Sequence, residues 1–199
     1  MAKDELKAGD VISFGRFVPA GRKAEPKGLL WKVLEVAGDN ALILSDKLIV
    51  SMPYNDSEGE TSWQRCTLRK WLNTAFVSSS FSADEARSLC PSDIDGESDL
   101  VFILSQEEIE KYLSGEEVRD KGGMLYVPAR AAEKLKGRSN RDEYWWLRDV
   151  VYVDARFSSM IRHIDHNGYF GFTPSYCERW VRPVCRIKLA AMPMAAPVR

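Results

Sequence analysis

The side chains best suited to chemistry are two histidines and two cysteines between residues 144 and 189. His163 and His166 lie three residues apart, and on a helix this spacing would let both imidazoles bind one metal ion. On a strand they would point to opposite faces, and the Asn-Gly pair directly after them favours a hairpin. Since no third or fourth ligand is evident nearby, we expect no metal at this pair and no cofactor.

Cys177 and Cys185 are the candidates for thiol chemistry, since either could act as a nucleophile with a nearby histidine. Cys185 lies in an apolar stretch where a buried, inert thiol is the usual state. The chain has no G-x-S-x-G, P-loop or G-x-G-x-x-G motif. We therefore expect no catalysis, with a thiol-dependent enzyme or a structural module of a larger assembly as the alternatives. Because Cys66 and Cys90 are also widely spaced and no secretion signal is evident, we expect four free thiols.

Composition indicates one globular domain over residues 1–189, with a flexible tail at 190–199. The 199 residues are 45% apolar and 29% charged, and the net charge of −1 gives no reason to expect a nucleic-acid partner. No apolar run approaches the roughly 18 residues of a membrane span. The first ten residues have no apolar signal-peptide core, so we expect no export by the ordinary route and a cytoplasmic location.

Alternating apolar residues predict strands at 11–17, 31–36 and 41–45, with Gly38-Asp39-Asn40 as a hairpin turn between the last two. Residues 48–52 are expected to extend this sheet. Further strands are predicted at 100–104, in the WWLR motif, at 159–165, at 169–172 and at 181–189.

Helical periodicity predicts three helices, at 67–75, 82–89 and 105–113. Ser82 and Glu85 have the spacing of a capping box, and Ser105 is the predicted cap of the third helix. Strands, then helices, then strands again indicate an α+β fold.

Five tryptophans and two arginines are assigned structural roles. Trp31, Trp63, Trp71, Trp145 and Trp146 lie among Leu and Val, so at least four of them should be in the core. Arg69 and Arg148 are expected to bind a carboxylate or carbonyls from buried positions.

The polar and aromatic residues after WWLR have no helical stripe to explain them, and they are the candidates for ligand contact: Tyr152, Asp154, His163, Asp165, His166, Tyr169, Phe172, Ser175 and Tyr176.

Three motifs, TLRKWLN, VFILSQEE and the pair WWLR…VRP, resemble an uncharacterised bacterial and phage domain family, over residues 11–189. That family is similar to the C-type lectin fold in the version shared with formylglycine-generating enzymes. The resemblance implies that the terminal strands join one antiparallel sheet, that two or three helices flank it, and that a long irregular region binds the ligand. The paired active-site cysteines and metal-binding carboxylates of those enzymes have no match here, so their activity is not implied.

The segment 149–180 is also similar to the variable proteins of diversity-generating retroelements, in which template adenines direct codon changes. This resemblance implies a diversified site for a protein or surface ligand, at Val150, Tyr152, Asp154, Phe157, His163, Asp165, His166, Tyr169, Phe172, Ser175 and Tyr176. It implies a fixed frame of Trp145, Trp146, Leu147, Arg148, Val181, Arg182 and Pro183. Trp180 departs from the family, which commonly has Gly before VRP.

Overall fold

The computed structural model describes residues 6–17, 27–113, 144–153, 158–165 and 168–191. Its strands are β1 (Val11–Phe17), β2 (Lys27–Ala37), β3 (Asn40–Ser45), β4 (Val50–Pro53), β5 (Leu89–Cys90), β6 (Ser92–Ile94), β7 (Glu97–Asp99), β8 (Val101–Phe102), β9 (Trp145–Val153), β10 (Ser159–Ile164), β11 (Phe170–Pro174), β12 (Glu178–Val181) and β13 (Val184–Lys188). Its α-helices are α1 (Thr67–Trp71), α2 (Val77–Ser80), α3 (Ala83–Ser88) and α4 (Gln106–Leu113). The predicted α+β class is confirmed.

The chain folds into two compact units, each built from separate stretches of sequence. Unit 1 takes the described residues of Met1–Ile49, Lys70–Phe102 and Pro183–Arg199. Unit 2 takes those of Val50–Arg69 and Ile103–Arg182.

The sheet of unit 1 has the order β1-β2-β3-β13-β5, and β8 also pairs with β13. All these pairings are antiparallel, and strands from both ends of the chain therefore share one sheet. The predicted hairpin is confirmed: Ala37 pairs with Asn40, and Gly38 takes the positive φ of 57° that its turn requires.

An aromatic core stabilises unit 1. The Trp31 indole N–H donates to the Phe14 carbonyl at 2.6 Å, and the Phe14 ring lies 5.0 Å from that of Phe81. Gly15 adopts a φ of +72°, and a Cβ there would lie 2.8 Å from the Phe81 ring. Only glycine fits both this backbone conformation and this contact.

The predicted capping box at Ser82 and the predicted cap at Ser105 are both present. The Glu85 backbone N–H donates to the Ser82 hydroxyl at 3.3 Å, and the Ser82 backbone N–H donates to the Glu85 carboxylate at 2.8 Å. Ser105 and Glu108 make the same reciprocal bonds at the start of α4. The cap residues therefore decide where these short helices begin.

The predicted helix at 67–75 is longer than expected, because α1 continues through a π-helical stretch, Leu72–Phe76, into α2. Asn73, from the TLRKWLN motif, connects this stretch to β8. Its side-chain oxygen accepts the backbone N–H groups of Leu100 and Val101 at 2.8 and 3.2 Å, and its amide donates to the Val101 carbonyl at 2.8 Å. One side chain thus satisfies three backbone groups.

The sheet of unit 2 has the order β11-β10-β9-β12-β4, and its pairings are antiparallel except for the parallel contact between β12 and β9. One sequence prediction was wrong here. β4 pairs with β12 and does not extend the sheet of unit 1. The strand predicted at 181–189 is present as β13, although it begins only at Val184, and Val181 instead ends β12 in the other sheet. Pro183 lies at the break, where it has no N–H group to donate to a ladder.

Asn73→Ala is expected to lower the free energy of unfolding by about 2 kcal/mol, because it leaves half-buried backbone groups of Leu100 and Val101 without a partner. Urea unfolding measures the change. Ser78→Ala on the exposed side of α2 is the control and should change the free energy by less than about 0.5 kcal/mol. Equal effects of the two variants would contradict a bridging role for Asn73.

Candidate functional site

Strand β9 changes from fully buried to exposed along its length. Trp145, Trp146 and Leu147 are each no more than 1% exposed, whereas Val150, Tyr152 and Val153 are 38–45% exposed. The register with β10 shifts at two places, between Trp146 and Val150 and again between Val150 and Tyr152. A bulge changes which way successive side chains point, so one strand supplies both core and surface.

The buried half of β9 is held by aromatic packing and by two hydrogen bonds. The Tyr54 ring lies 5.8 Å from that of Trp146 and 6.1 Å from that of Trp63, and all three side chains are buried. The Tyr54 hydroxyl donates to the Arg148 carbonyl at 2.9 Å, and the Trp146 indole donates to the Met52 carbonyl at 3.0 Å. Tyr54 and Trp146 therefore each have a partner for their polar group. The buried Trp145 indole nitrogen has none among the described residues.

Arg148 plays the structural role predicted for it. Its guanidinium donates to the Ile103 carbonyl at 3.0 Å and to the Glu108 carboxylate at 2.7 Å. Arg69, the other predicted case, donates to the Gln64 carbonyl at 3.1 Å. The tryptophan prediction is also confirmed, since Trp31, Trp63, Trp145 and Trp146 are buried and Trp71 is half-buried.

The outer face of strands β9, β10 and β11, here called the β9–β11 face, carries exposed apolar side chains. Tyr152 and Phe172 are 45% and 48% exposed, and their rings meet edge to face with centroids 5.4 Å apart. The two residues lie on strands that flank β10, so this contact crosses the central strand. Large apolar side chains at this exposure are typical of contact surfaces when they are grouped.

The centre of this face comes from the outward-facing residues of β10, which were not among the contact residues predicted from the sequence. Met160 pairs with Tyr152 on one side and with Pro174 on the other, and Arg162 pairs directly with Phe172. Ser159, Ile161 and His163 are buried while Met160 and Arg162 are half-buried. The alternation in SMIRHI is the signal that could have revealed Met160 and Arg162 as outward-facing residues.

Three other candidate residues lie in turns beside these strands. Tyr176 follows β11 and is 38% exposed. Asp165 and Tyr169 are half-buried, and the Tyr169 backbone N–H donates to the Asp165 carboxylate at 2.8 Å. Asp165 therefore helps to close the β10–β11 turn.

Two candidates, His163 and Ser175, are buried beneath the surface and do not lie on it. His163 pairs with Gly171, and a Cβ at Gly171 would lie 2.6 Å from its Nε2. The ring of Tyr144 stands edge-on to the imidazole at 5.1 Å. Among the described residues the His163 Nδ1 atom has no hydrogen-bond partner. The remaining candidates, Asp154, Phe157 and His166, lie outside the described residues.

The predicted free thiols are present at all four cysteines. Burial raises the pKa of Cys66 to about 12, and burial also raises the pKa of Cys185 well above its ordinary value. Both thiols are therefore protonated at neutral pH, which disfavours them as nucleophiles. Cys177 is half-buried, and its N–H donates to the Pro174 carbonyl at 3.0 Å.

Within the described ranges, no three His, Cys, Asp or Glu side chains are placed to hold a metal ion together. The helices described here are also too short or too polar to cross a membrane.

A comparison with protein-family models matches residues 38–189 to a domain of unknown function, DUF6273. The chain belongs to this family. The match begins in the turn between β2 and β3 and ends one residue after β13, so it includes the whole β9–β11 face and excludes β1 and β2. No curated protein matches the chain, and no solved structure does.

The environment of His163 makes the stability of this DUF6273 domain dependent on pH. Burial, followed by the nearby charge of Arg179, lowers the pKa of His163 to about 4, and the charge of Asp165 offsets this only in part. An unfolded histidine has a pKa of about 6.5. Between these values the unfolded chain binds a proton that the folded chain does not, so stability is highest above pH 6.5 and falls as the pH approaches 4.

From the two pKa values, protonation of His163 should lower the free energy of unfolding by about 2 kcal/mol between pH 7 and pH 5. In His163→Gln this contribution should be absent, so the variant should lose about 2 kcal/mol less than the unchanged protein over the same pH range. Urea unfolding at both pH values measures it. His166→Gln, at the one other histidine, is the control. NMR of labelled histidine provides a second measurement, and the expectation is contradicted if both imidazoles titrate near pH 6.5.

Proposed function

We propose that this protein is a non-catalytic binding protein that recognises a protein ligand through the β9–β11 face. The observation that carries the proposal is the division of roles along the chain. Val150, Tyr152, Phe172 and Tyr176, proposed as contacts from the sequence, are exposed, whereas Trp145, Trp146 and Val181, proposed as frame, are buried.

The exposed side chains suit recognition for energetic reasons. Tyr and Phe offer large contact areas and lose few rotamers on binding, and such residues dominate the energy of many interfaces. Here Tyr152 and Phe172 already contact each other, so part of the ordering cost is met before a ligand arrives. The underlying strands are fixed by the buried half of β9, which favours a preorganised surface.

The finer proposal is a C-type lectin-type fold whose surface is diversified by a retroelement. It rests on the resemblance of the sequence motifs to variable proteins. The sheet that joins strands from both ends of the chain, and the exposure of several candidate diversified positions, are compatible with it. A cytoplasmic or virion-associated location belongs to the same proposal.

A thiol-dependent enzyme on the same scaffold is the second candidate. The raised pKa and complete burial of Cys185 speak against that residue as the nucleophile. The candidate therefore depends on Cys177, which is half-buried. Alkylation of the folded protein by iodoacetamide at neutral pH tests it, since a nucleophilic Cys177 would react far faster than Cys66.

Sequencing the gene in many cells of one population tests diversification. We expect coding changes concentrated between residues 149 and 179, including the codons of Val150, Tyr152 and Phe172, with the WWLR and VRPV codons unchanged. The buried frame cannot accept such changes without a cost in packing of several kcal/mol. Variation spread evenly over the gene, or none at all, would contradict diversification and leave a fixed ligand as the remaining form of the binding proposal.

Selection of a displayed random 12-residue peptide library against the folded chain tests binding at the β9–β11 face. We expect enriched peptides whose affinity falls at least about tenfold in the double variant Tyr152→Ser/Phe172→Ser, because exposed aromatic anchors often dominate binding energy. Stability should change by less than about 1 kcal/mol, since both side chains are exposed.

Val36→Ser is the matched control, since Val36 is a similarly exposed apolar residue in unit 1. Peptides that bind the double variant as well as the unchanged protein, or the failure of any peptide to be enriched, would count against the proposal. If the double variant is much less stable than the unchanged protein, Tyr152 and Phe172 are packing residues of the core, and the proposed binding site is wrong.

A further inference from the structure

We propose that the partner of the β9–β11 face is an acidic protein segment, in which an Asp or Glu carboxylate pairs with Arg162 while a neighbouring apolar side chain packs against Tyr152 and Phe172. This inference rests on the proposed function of the same face and adds the chemistry of the partner.

The charge on this face comes from Arg162. Arg162 carries the one formal charge among the outward-facing residues of β10 and β11 that the structure describes. It interacts electrostatically with Asp149 and His163, but within the described ranges it forms no hydrogen bond and no ion pair. Among the described residues, its guanidinium donors are therefore available to a ligand.

Asp149, the acidic group that interacts electrostatically with Arg162, also accepts a hydrogen bond from another element. The Asp149 carboxylate accepts the Gln106 backbone N–H at the start of α4, at 2.8 Å. This contrasts with Arg148, the arginine of β9, which is paired with Glu108 and with a backbone carbonyl. One arginine of this region is thus used by the fold and the other is left at the surface.

The surroundings of Arg162 strengthen any pairing with a carboxylate. Phe172 is its direct cross-strand neighbour, and the Tyr152 ring meets the Phe172 ring across β10. A ligand that covers these rings excludes water from the guanidinium, and a charge-assisted hydrogen bond is stronger in such a place than in open solvent. Arginine also presents the planar fork that binds a carboxylate through two parallel bonds.

The ring geometry favours a protein segment over a carbohydrate acid. Tyr152 and Phe172 are inclined at 73°, so they do not form one flat platform on which a sugar ring could stack. Met160 pairs directly with Tyr152 on this face and adds aliphatic area. Aliphatic and edge-presented aromatic groups match apolar side chains of a polypeptide.

The test uses peptides enriched from the displayed 12-residue library and four variants of the folded chain. We expect most enriched peptides to carry Asp or Glu beside an apolar residue. Their affinity should fall about tenfold or more in Arg162→Gln, recover in part in Arg162→Lys and weaken at high salt. Arg162→Glu should select basic peptides instead. Lys32→Gln removes an exposed positive charge from unit 1 and should have no effect.

The outcomes separate this proposal from the proposed function. Peptides that need Tyr152 and Phe172 but lack acidic residues, or that bind Arg162→Gln unchanged, would overturn the acidic partner and keep the binding face. Peptides whose binding depends neither on the two rings nor on Arg162 would contradict both proposals, as would the absence of any enriched peptide.

Binding of a sialylated or uronic-acid glycan on an array, lost in Arg162→Gln and with no peptide bound, would overturn the protein partner. If all variants unfold at the same urea concentration as the unchanged protein, a loss of binding is not caused by unfolding.

Discussion

The packing of Tyr54 against Trp146 and Trp63 is the interaction on which the architecture of unit 2 depends. These three side chains are fully or almost fully buried, and the two hydrogen bonds from Tyr54 and Trp146 satisfy their polar atoms on backbone carbonyls. Together they fix the first part of β9. The exposed part of the same strand is held by its pairing with β10, at Val150, Tyr152 and Val153.

The contrast between neighbouring residues follows from this arrangement. Leu147 has no exposed surface, whereas Tyr152, five positions later, is nearly half exposed. A regular strand would alternate inward and outward positions along its whole length. The irregular pairing with β10 breaks that alternation and lets β9 serve as core and as surface in turn. A surface supported in this way can change its outward side chains while the buried ones hold the backbone.

His163 illustrates a different kind of constraint. Its neutral imidazole fills the space above Gly171, where any side chain would clash, and its burial lowers its pKa to about 4. A histidine in a polar and aromatic segment is easily interpreted as a ligand-binding residue. Its burial under the β9–β11 face instead makes it a packing residue, and the consequence of its chemistry is a loss of stability in acid.

Local patterns in the sequence determined much of the fold. The alternation in VISFGRF, the Gly-Asp turn before Asn40 and the capping pair of Ser82 and Glu85 each depend on residues close together in the chain, so the sequence alone predicted them. The burial of the WWLR frame and the structural role of Arg148 were predictable for the same reason: runs of Trp and Leu have few alternatives to a core.

Only the tertiary structure decided which polar and aromatic residues of 149–180 reach the surface. His163 and Tyr152 occur in similar local contexts, but one is buried and the other exposed because of the strands that pair beside them. The same applies to β4 and β12, which form one sheet although 120 or more residues separate paired positions such as Met52 and Arg179. Long-range pairing depends on contacts between distant parts of the chain, which local periodicity does not encode.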